Sequence, residues 1–194
     1  MPTWSGFDYV ALVVDCFSRV IVGWHVSTVK ETAMVTTALK MALWRRDHGG
    51  RRAGDGLIHH SDAGSQYTSI AFAETLVLGG IAASIGSVGD AYDNALAETT
   101  IGLFKTEAIA PGSPFRTGPL RTHDDVQYAA MEWVGWYNNR RLHSRLDYIP
   151  PDEYEAAYYA QHPGVPVGGA STTKPTSTPR TVQVECNARG ELTR

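Results

Sequence analysis

Residues 9–26 read YVALVVDCFSRVIVGWHV, and how this stretch divides decides the fold. Tyr9 to Val14 is an unbroken apolar, β-branched run, the pattern of a strand covered on both faces rather than one. Arg19 to Val26 is a second run of the same kind, and the short segment between them is of hairpin length. The two strands are therefore expected to pair antiparallel. Downstream, Thr28 and Glu31 have capping-box spacing. Val35, Ala38, Leu39 and Ala42 follow at helical spacing before Gly49-Gly50 ends the element. Gly56 to His60 reads as a third strand, Ile70 to Leu78 as a short helix closed by Gly79-Gly80, and Ile81 to Ile85 as a fourth strand. Gly86 to Asp93, with two glycines and two acids, is expected to be a mobile loop. A helix then spans Asn94 to about Ile109. Thr122 and Asp125 open another, with the apolar stripe Val126, Ala129, Trp133 and Trp136.

After Gln161 the composition shifts to Gly, Pro, Ser and Thr, which bury too little apolar surface to offset the entropy of ordering them. Residues 1–161 are thus expected to form one core and 162–194 a disordered C-terminal tail. A chain of 194 residues with 43% hydrophobic content suffices for one sizeable core. Its apolar runs fall short of the ~20 residues a membrane helix needs, and Met1 is not followed by a basic region and an apolar stretch, so neither an anchor nor a secretory signal is expected. A cytoplasmic setting follows. Cys16 and Cys186 stand far apart with no CxxC pair, against a disulfide framework or a structural zinc site. The net charge is −3 and the pI about 6.1, so nucleic-acid binding would have to rest on a local basic patch.

Two acids stand out. Asp62 lies in HHSDAGSQYTS, residues 59–69, where turn chemistry explains an Asp beside Gly and Ser, and a metal ligand or one member of a catalytic pair are the other readings. Glu98 lies in the helix DNALAETTIGLFKTEAI, residues 93–109. At ~100° per residue, Asn94, Glu98 and Lys105 share one stripe beside Ala97, Ile101, Phe104 and Ala108. A carboxylate at such a polar–apolar boundary needs a partner for its charge. A salt bridge to Lys105 and plain solvent exposure both remain open. Arg140, Arg141, His143 and Arg145 form a local basic cluster, read as DNA-backbone contact or as a solvated helix end. His59 and His60 suggest a His-Asp metal site, but strand-end packing is the simpler reading. Trp133 and Trp136 follow the helix stripe and read as core.

Thirty-five residues separate Asp62 from Glu98. HSDAGSQY, this gap, and DNALAETTIGLFKTE with Lys105 seven residues after Glu98 resemble the second and third acids of the DDE transposases of insertion sequences, relatives of the retroviral integrases. YVALVVDCFSRVIVGW (9–24) and WYNNRRLHSRLDYIPPDEYE (136–155) extend the resemblance over nearly everything from Pro2 to about Gln161. The resemblance implies an α/β, ribonuclease-H-like mixed sheet flanked by helices. It implies Asp62 and Glu98 as catalytic acids and ligands of Mg²⁺, for which Mn²⁺ can substitute. Two such cations ~3.5–4 Å apart activate the attacking oxygen and stabilise the leaving one in an in-line displacement at phosphorus. Lys105 would contact the terminal phosphates of the element, and Asn94 would orient Glu98 or cap the helix. The implied partners are the mobile element's terminal repeats and target DNA, with a homo-oligomer assembled on DNA in the bacterial nucleoid.

Three departures qualify the match. Ala63 stands where the family usually has Arg or Asn, and Asp147 where it usually has Gly. The family's first acid lies on a central strand preceding the segment that begins here as PTW. Asp15 matches a different, non-catalytic position and Asp8 a connection between strands. By the resemblance the chain is expected to be cut short at its N-terminus, lacking the first central strand and unable to perform strand transfer. A misplaced start codon or a true truncation would account for that. A catalytically dead DNA-binding remnant, a ribonuclease and a metal-independent two-carboxylate glycoside hydrolase are the alternative readings.

Overall fold

The computed structural model describes residues 1–50, 57–61, 66–85, 91–162 and 181–186. In chain order the elements are β1 (Pro2–Thr3), β2 (Gly6–Phe7), β3 (Tyr9–Asp15), β4 (Ile21–Ser27), α1 (Thr32–His48), β5 (Ile58–Ser61), α2 (Ile70–Leu78), β6 (Ala82–Ile85), α3 (Ala91–Leu103), α4 (His123–Asn139), α5 (Pro151–Gln161) and β7 (Thr181–Cys186). A π-helical turn, Phe104–Ile109, continues α3. β1 and β2 form a small hairpin. The other five strands make one mixed sheet in the order β4-β3-β7-β5-β6. β3 is antiparallel to both β4 and β7, and β5 is parallel to both β6 and β7.

β3 shows why a continuous apolar run is a doubly covered strand. Its side chains alternate between faces. Val10, Leu12 and Val14 enter a core with Ile101, Phe104, Val126, Ala130 and Trp133. Ala11 and Val13 enter a second core with Met34, Val35, Ala38, Leu39 and Phe72. One sheet thus separates two cores, with α1 and α2 on one face and α3 and α4 on the other. α1 approaches closely at Gly23 of β4, where a Cβ would lie 2.2 Å from the Ala38 carbonyl oxygen. β4 is an edge strand, and at Ile21 the Asn138 side-chain amide takes the place of a neighbouring strand. Its Nδ2 donates to the Ile21 carbonyl at 3.0 Å and its Oδ1 accepts the Ile21 N–H at 2.9 Å. This satisfies an edge that would otherwise invite pairing. Among the described residues no helix is long and apolar enough to cross a membrane.

Several local expectations hold. α2 has the expected bounds, and Thr122 and Asp125 form a capping box at the start of α4. Thr28 and Glu31 do not form one. α1 starts at Thr32, with Glu31 as an N-cap that makes no side-chain cap bond. β4 runs on to Ser27, whose hydroxyl accepts the Val29 N–H at 3.1 Å, so the chain is still turning where the helix was expected. Ala91 to Asp93, placed in the expected loop, already belong to α3, while 86–90 lie outside the described residues.

The tail also needs correction. Thr181–Cys186 is a strand in the middle of the sheet, between β3 and β5, and so fills the position where a missing strand was expected. The physical reason is the ladder itself. A bare edge on a strand buried on both faces strands its N–H and C=O groups without water. Thr181, Val182 and Val184 are β-branched residues of the kind enriched in strands. The tail's other residues, 163–180 and 187–194, lie outside the described ones.

Candidate functional site

β7, β5 and β6 run parallel to one another. In α/β sheets the crevice beyond the carboxyl ends of parallel strands is the usual place for a ligand. β5 ends at Ser61, one residue before Asp62 in the sequence. Asp62 itself lies outside the described residues. α3 packs against β7, the neighbour of β5. Its Thr100, Ile101 and Phe104 are buried, while Glu98 is exposed on the outer side of the helix. Asn94 sits in the first turns of α3, and its side chain is outside the described part.

Lys105 is half-buried and falls inside the π-helical turn. A π turn takes more residues per revolution than an α turn, so the alignment of Lys105 with Glu98 calculated for an unbroken α-helix does not carry through. His59 is buried edge-on against Phe72, with ring centroids 5.3 Å apart, as strand-end packing requires. Among the described residues, no three His, Cys, Asp or Glu side chains stand where they could hold a metal.

The expected basic cluster divides. Arg140 and Arg145 are exposed. Arg141 turns inward onto Glu107, its Nε and Nη2 donating to that carboxylate at 3.0 and 2.8 Å. Glu107 also accepts the indole N–H of Trp133 at 3.0 Å. Arg141 is thus neutralised by a structural clamp between α4 and the π turn. His143 is buried, its ring 4.7 Å from that of Tyr137. Burial, reinforced by the Arg141 charge, pushes its pKa down to about 4 from the ordinary 6.5, against a smaller opposing pull from Glu107. It therefore carries no positive charge at neutral pH. Tyr137 is itself pushed up to about 12, chiefly by burial.

His143 makes stability depend on pH. Its folded pKa lies below its unfolded one, so the unfolded chain binds the proton first as pH falls. This contribution is complete above about pH 6.5 and is lost progressively towards pH 4. Urea midpoints measured from pH 7 to pH 4.5 should fall in the wild type. In His143→Gln that fall should shrink by on the order of 2 kcal/mol. Parallel curves for the two proteins would show that the ring is protonated in the fold.

Three buried pairings had no local signal in the sequence. Asp15 closes the β3–β4 turn by accepting the N–H groups of Phe17 and Ser18 at 2.7 and 3.0 Å. Its other oxygen meets Arg46 Nη2 at 2.7 Å, and Arg46 Nη1 meets Glu155 at 2.6 Å. Burial alone would lower the Arg46 pKa, but Asp15 and Glu155 outweigh it and the net shift is upward. Asp8, also buried, lies 2.6 Å from His123 Nδ1. Asp15 and Asp8, neither of which was assigned as a catalytic acid, therefore have side-chain partners of their own.

Two models described as "Integrase core domain" match residues 1–91 and 79–151. The chain is 50% identical over 161 residues to "Putative transposase for insertion sequence element IS986/IS6110" of Mycobacterium tuberculosis, covering 83% of this chain and 56% of that protein. It is 48% identical over 160 residues to "Transposase for insertion sequence element IS629" of Shigella sonnei, covering 82% and 50%. The chain thus spans about half the length of these curated relatives. Among solved structures, a chain of the simian T-cell lymphotropic virus intasome in complex with PP2A regulatory subunit B56 gamma superposes with a TM-score of 0.55 at 17% identity, covering 87% of this chain and 53% of that one. The HTLV-2 integrase catalytic core domain in complex with magnesium gives 0.52 at 15%, covering 79% and 88%. At these identities the two structures speak for the fold alone.

Proposed function

The chain belongs to the integrase-core family of insertion-sequence transposases, and from that premise we propose that it is a transposase catalytic region in which Asp62 and Glu98 bind a divalent cation at the ends of a mobile element. One structural observation carries this reading. β5 ends immediately before Asp62, beside the strand against which α3, the helix of Glu98, is packed. This supports the reading because β5, which ends one residue before Asp62, and α3, which carries Glu98, both adjoin β7. Their carboxylate oxygens suit Mg²⁺, a hard cation that prefers oxygen donors. When bound, such a cation supplies Lewis-acid activation of water or a 3′-hydroxyl and stabilises charge at the phosphorus. The exposed Glu98 needs no rearrangement of the core to reach it.

DNA contact would rest on Arg140 and Arg145, together with Lys105. Arg141 and His143 do not contribute, the first because Glu107 neutralises it and the second because it is held neutral. Phosphate contacts release counterions, so each one adds to the salt dependence of binding. Replacing Arg140 and Arg145 together with Ala should lower the slope of log affinity against log salt by about 2 for duplex DNA. An unchanged slope would remove both residues from the interface.

The assignment of the acids is tested by titrating Mg²⁺ and Mn²⁺ into the full chain and following heat uptake, with strand cleavage on element-end DNA measured in parallel. Glu98→Gln and Asp62→Asn should each weaken cation binding while leaving the thermal midpoint close to wild type, because Glu98 is exposed. Cation binding unchanged by both substitutions would overturn the reading. DNA binding that survives without any cation binding would point instead to a non-catalytic DNA-binding module.

A further inference from the structure

Among the described residues, three that are not glycine have a positive φ: Arg19 at 65°, Asp147 at 56° and Tyr148 at 59°. This region is disfavoured for any residue with a Cβ, and for a side chain as bulky as tyrosine it is an outlier. Two of the three are consecutive, and the loop that holds them closes on itself. The His143 carbonyl accepts the N–H groups of both Leu146 and Tyr148 at 2.9 Å, and the Ile149 N–H donates to the Leu146 carbonyl at 3.2 Å. His143 and Ile149 face each other in an antiparallel bridge. Buried His143 and Leu146 anchor the loop, and buried Pro150 and Pro151 lead straight into α5. The surroundings thus hold Tyr148 in a conformation it would not adopt by itself. Arg19 belongs to the same neighbourhood, because its charge bears on both Tyr137 and His143.

The strain does not serve packing. Tyr148 is 70% exposed, so its ring forgoes the burial that an aromatic side chain ordinarily gains. Arg140, Leu142, Arg145 and Asp147 are exposed with it, whereas His143 and Leu146 turn inward and Arg141 is held by Glu107. A rigid turn therefore displays an aromatic ring between two arginines whose charges no buried partner takes up.

Building on the reading of the chain as a transposase catalytic region, we propose that Tyr148 is a stacking site for an unpaired DNA base, with Arg140 and Arg145 on the flanking phosphates. The chemistry of the patch favours that occupant. Aromatic rings among cations are the pattern of single-strand binding, and a tyrosine face accepts any base because every base has a π surface. The arginines supply the salt-sensitive half of the contact. An apolar protein partner would have no use for the flanking cations, while a nucleotide combines an anion with a flat apolar face. Asp147 sharpens the choice, since a carboxylate beside the ring repels phosphate at that point and leaves the base to meet Tyr148. The fixed loop favours binding as well, because little has to be ordered when the ligand arrives. Cutting one strand near a duplex end leaves nucleotides of the other strand without a partner, so cleavage at element ends would itself generate this ligand.

The test uses the full chain without added metal and two fluorescein-labelled probes followed by anisotropy, a blunt duplex and the same duplex with a short single-stranded extension. Wild type should bind the extended probe about tenfold more tightly, as one stacked base provides. Tyr148→Ala should bind both probes equally, with the salt slope unchanged because no cation is lost. Tyr148→Trp should keep the preference. Tyr148→Gly relieves the positive φ, so it should melt at or above the wild-type temperature and still lose the preference. A wild type that does not distinguish the probes, or a Tyr148→Ala variant that still does, would overturn the proposal. A Tyr148→Gly midpoint well below wild type would overturn it too, as the mark of a ring that packs the fold. Mg²⁺ uptake is a separate readout that Tyr148→Ala should leave as in wild type. Absent cation binding in wild type strikes the metal assignment, and absent probe preference strikes the stacking site.

Discussion

Gly23→Ala is expected to cost this chain several kcal/mol of stability through a single methyl group. Gly23 lies mid-strand in β4, opposite Val13 of β3. A Cβ there would stand 2.2 Å from the Ala38 carbonyl oxygen and 2.9 Å from the Ala42 nitrogen and Cβ. The obstacle is helix backbone, which cannot turn aside as a side chain can, so α1 would have to lift as a unit. Lifting it parts Val35, Ala38, Leu39 and Ala42 from the core they fill. Overpacking typically costs ~1–3 kcal/mol and more where the clash is rigid, so about 3 kcal/mol or more is expected. At ~2–4 °C per kcal/mol for a chain of this size, the thermal midpoint should fall by roughly 10 °C. Gly135 of α4 is the control, because it is exposed and a Cβ there meets nothing within 4 Å. Gly135→Ala should raise the midpoint slightly, by the ~0.5–1 kcal/mol that Gly costs in a helix. A Gly23→Ala melt within 2 °C of wild type would mean that β4 and α1 are not packed as described.

Arg46→Met should be comparably severe, for electrostatic rather than steric reasons. Arg46 sits between Asp15 and Glu155, and the side chains of the three are 11%, 4% and 2% exposed. Methionine roughly fills the volume but leaves two buried carboxylates without their shared cation. Breaking a buried pair by removing one partner costs ~3–5 kcal/mol, most of it the penalty for the charge left behind. Asp15 retains its bonds from Phe17 and Ser18, while Glu155, 2% exposed, loses the Arg46 cation. Adding Glu155→Gln to Arg46→Met should therefore recover part of the loss, and the double variant should be less unstable than the sum of the singles. Urea midpoints of the three variants check this. Additive losses would show that the three groups do not act as a unit.

Sequence patterns revealed those parts of the architecture that depend on near neighbours. The β3–β4 hairpin shows in two apolar runs and a short turn, and α2 in its helical run and its closing glycines. The start of α4 shows in Thr122 and Asp125, three residues apart. The same logic fails at Thr28 and Glu31, where β4 runs one residue past Val26 to Ser27 and the helix begins only at Thr32. Asp147 shows a pattern explained only by structure. It stands where the resembled family usually has Gly, and its φ of 56° is the left-handed conformation that Asp tolerates better than most residues. Pairings across long sequence separations were not visible. Arg46 meets Glu155 at a separation of 109 residues and Arg141 meets Glu107 at 34, and nothing in the neighbouring residues marks either pair. For that reason a run of basic residues was read as one surface, although Glu107 and the burial of His143 withdraw half of it. β7 was hidden differently, because a short strand is masked by the Pro, Gly, Ser and Thr that precede it.

The place of β7 also bears on how the molecule comes into being. It is synthesised after all of its partners, so during translation both flanking strands exist before the strand that joins them. The sheet has high contact order, which slows folding because distant segments must be brought together before their pairing is rewarded. A nascent chain that has reached α5 carries two apolar edges on its most buried strands, a form prone to association with its neighbours. The sheet can therefore close only once residues 181–186 have been made, and a strand that arrives late leaves its partners exposed for longer.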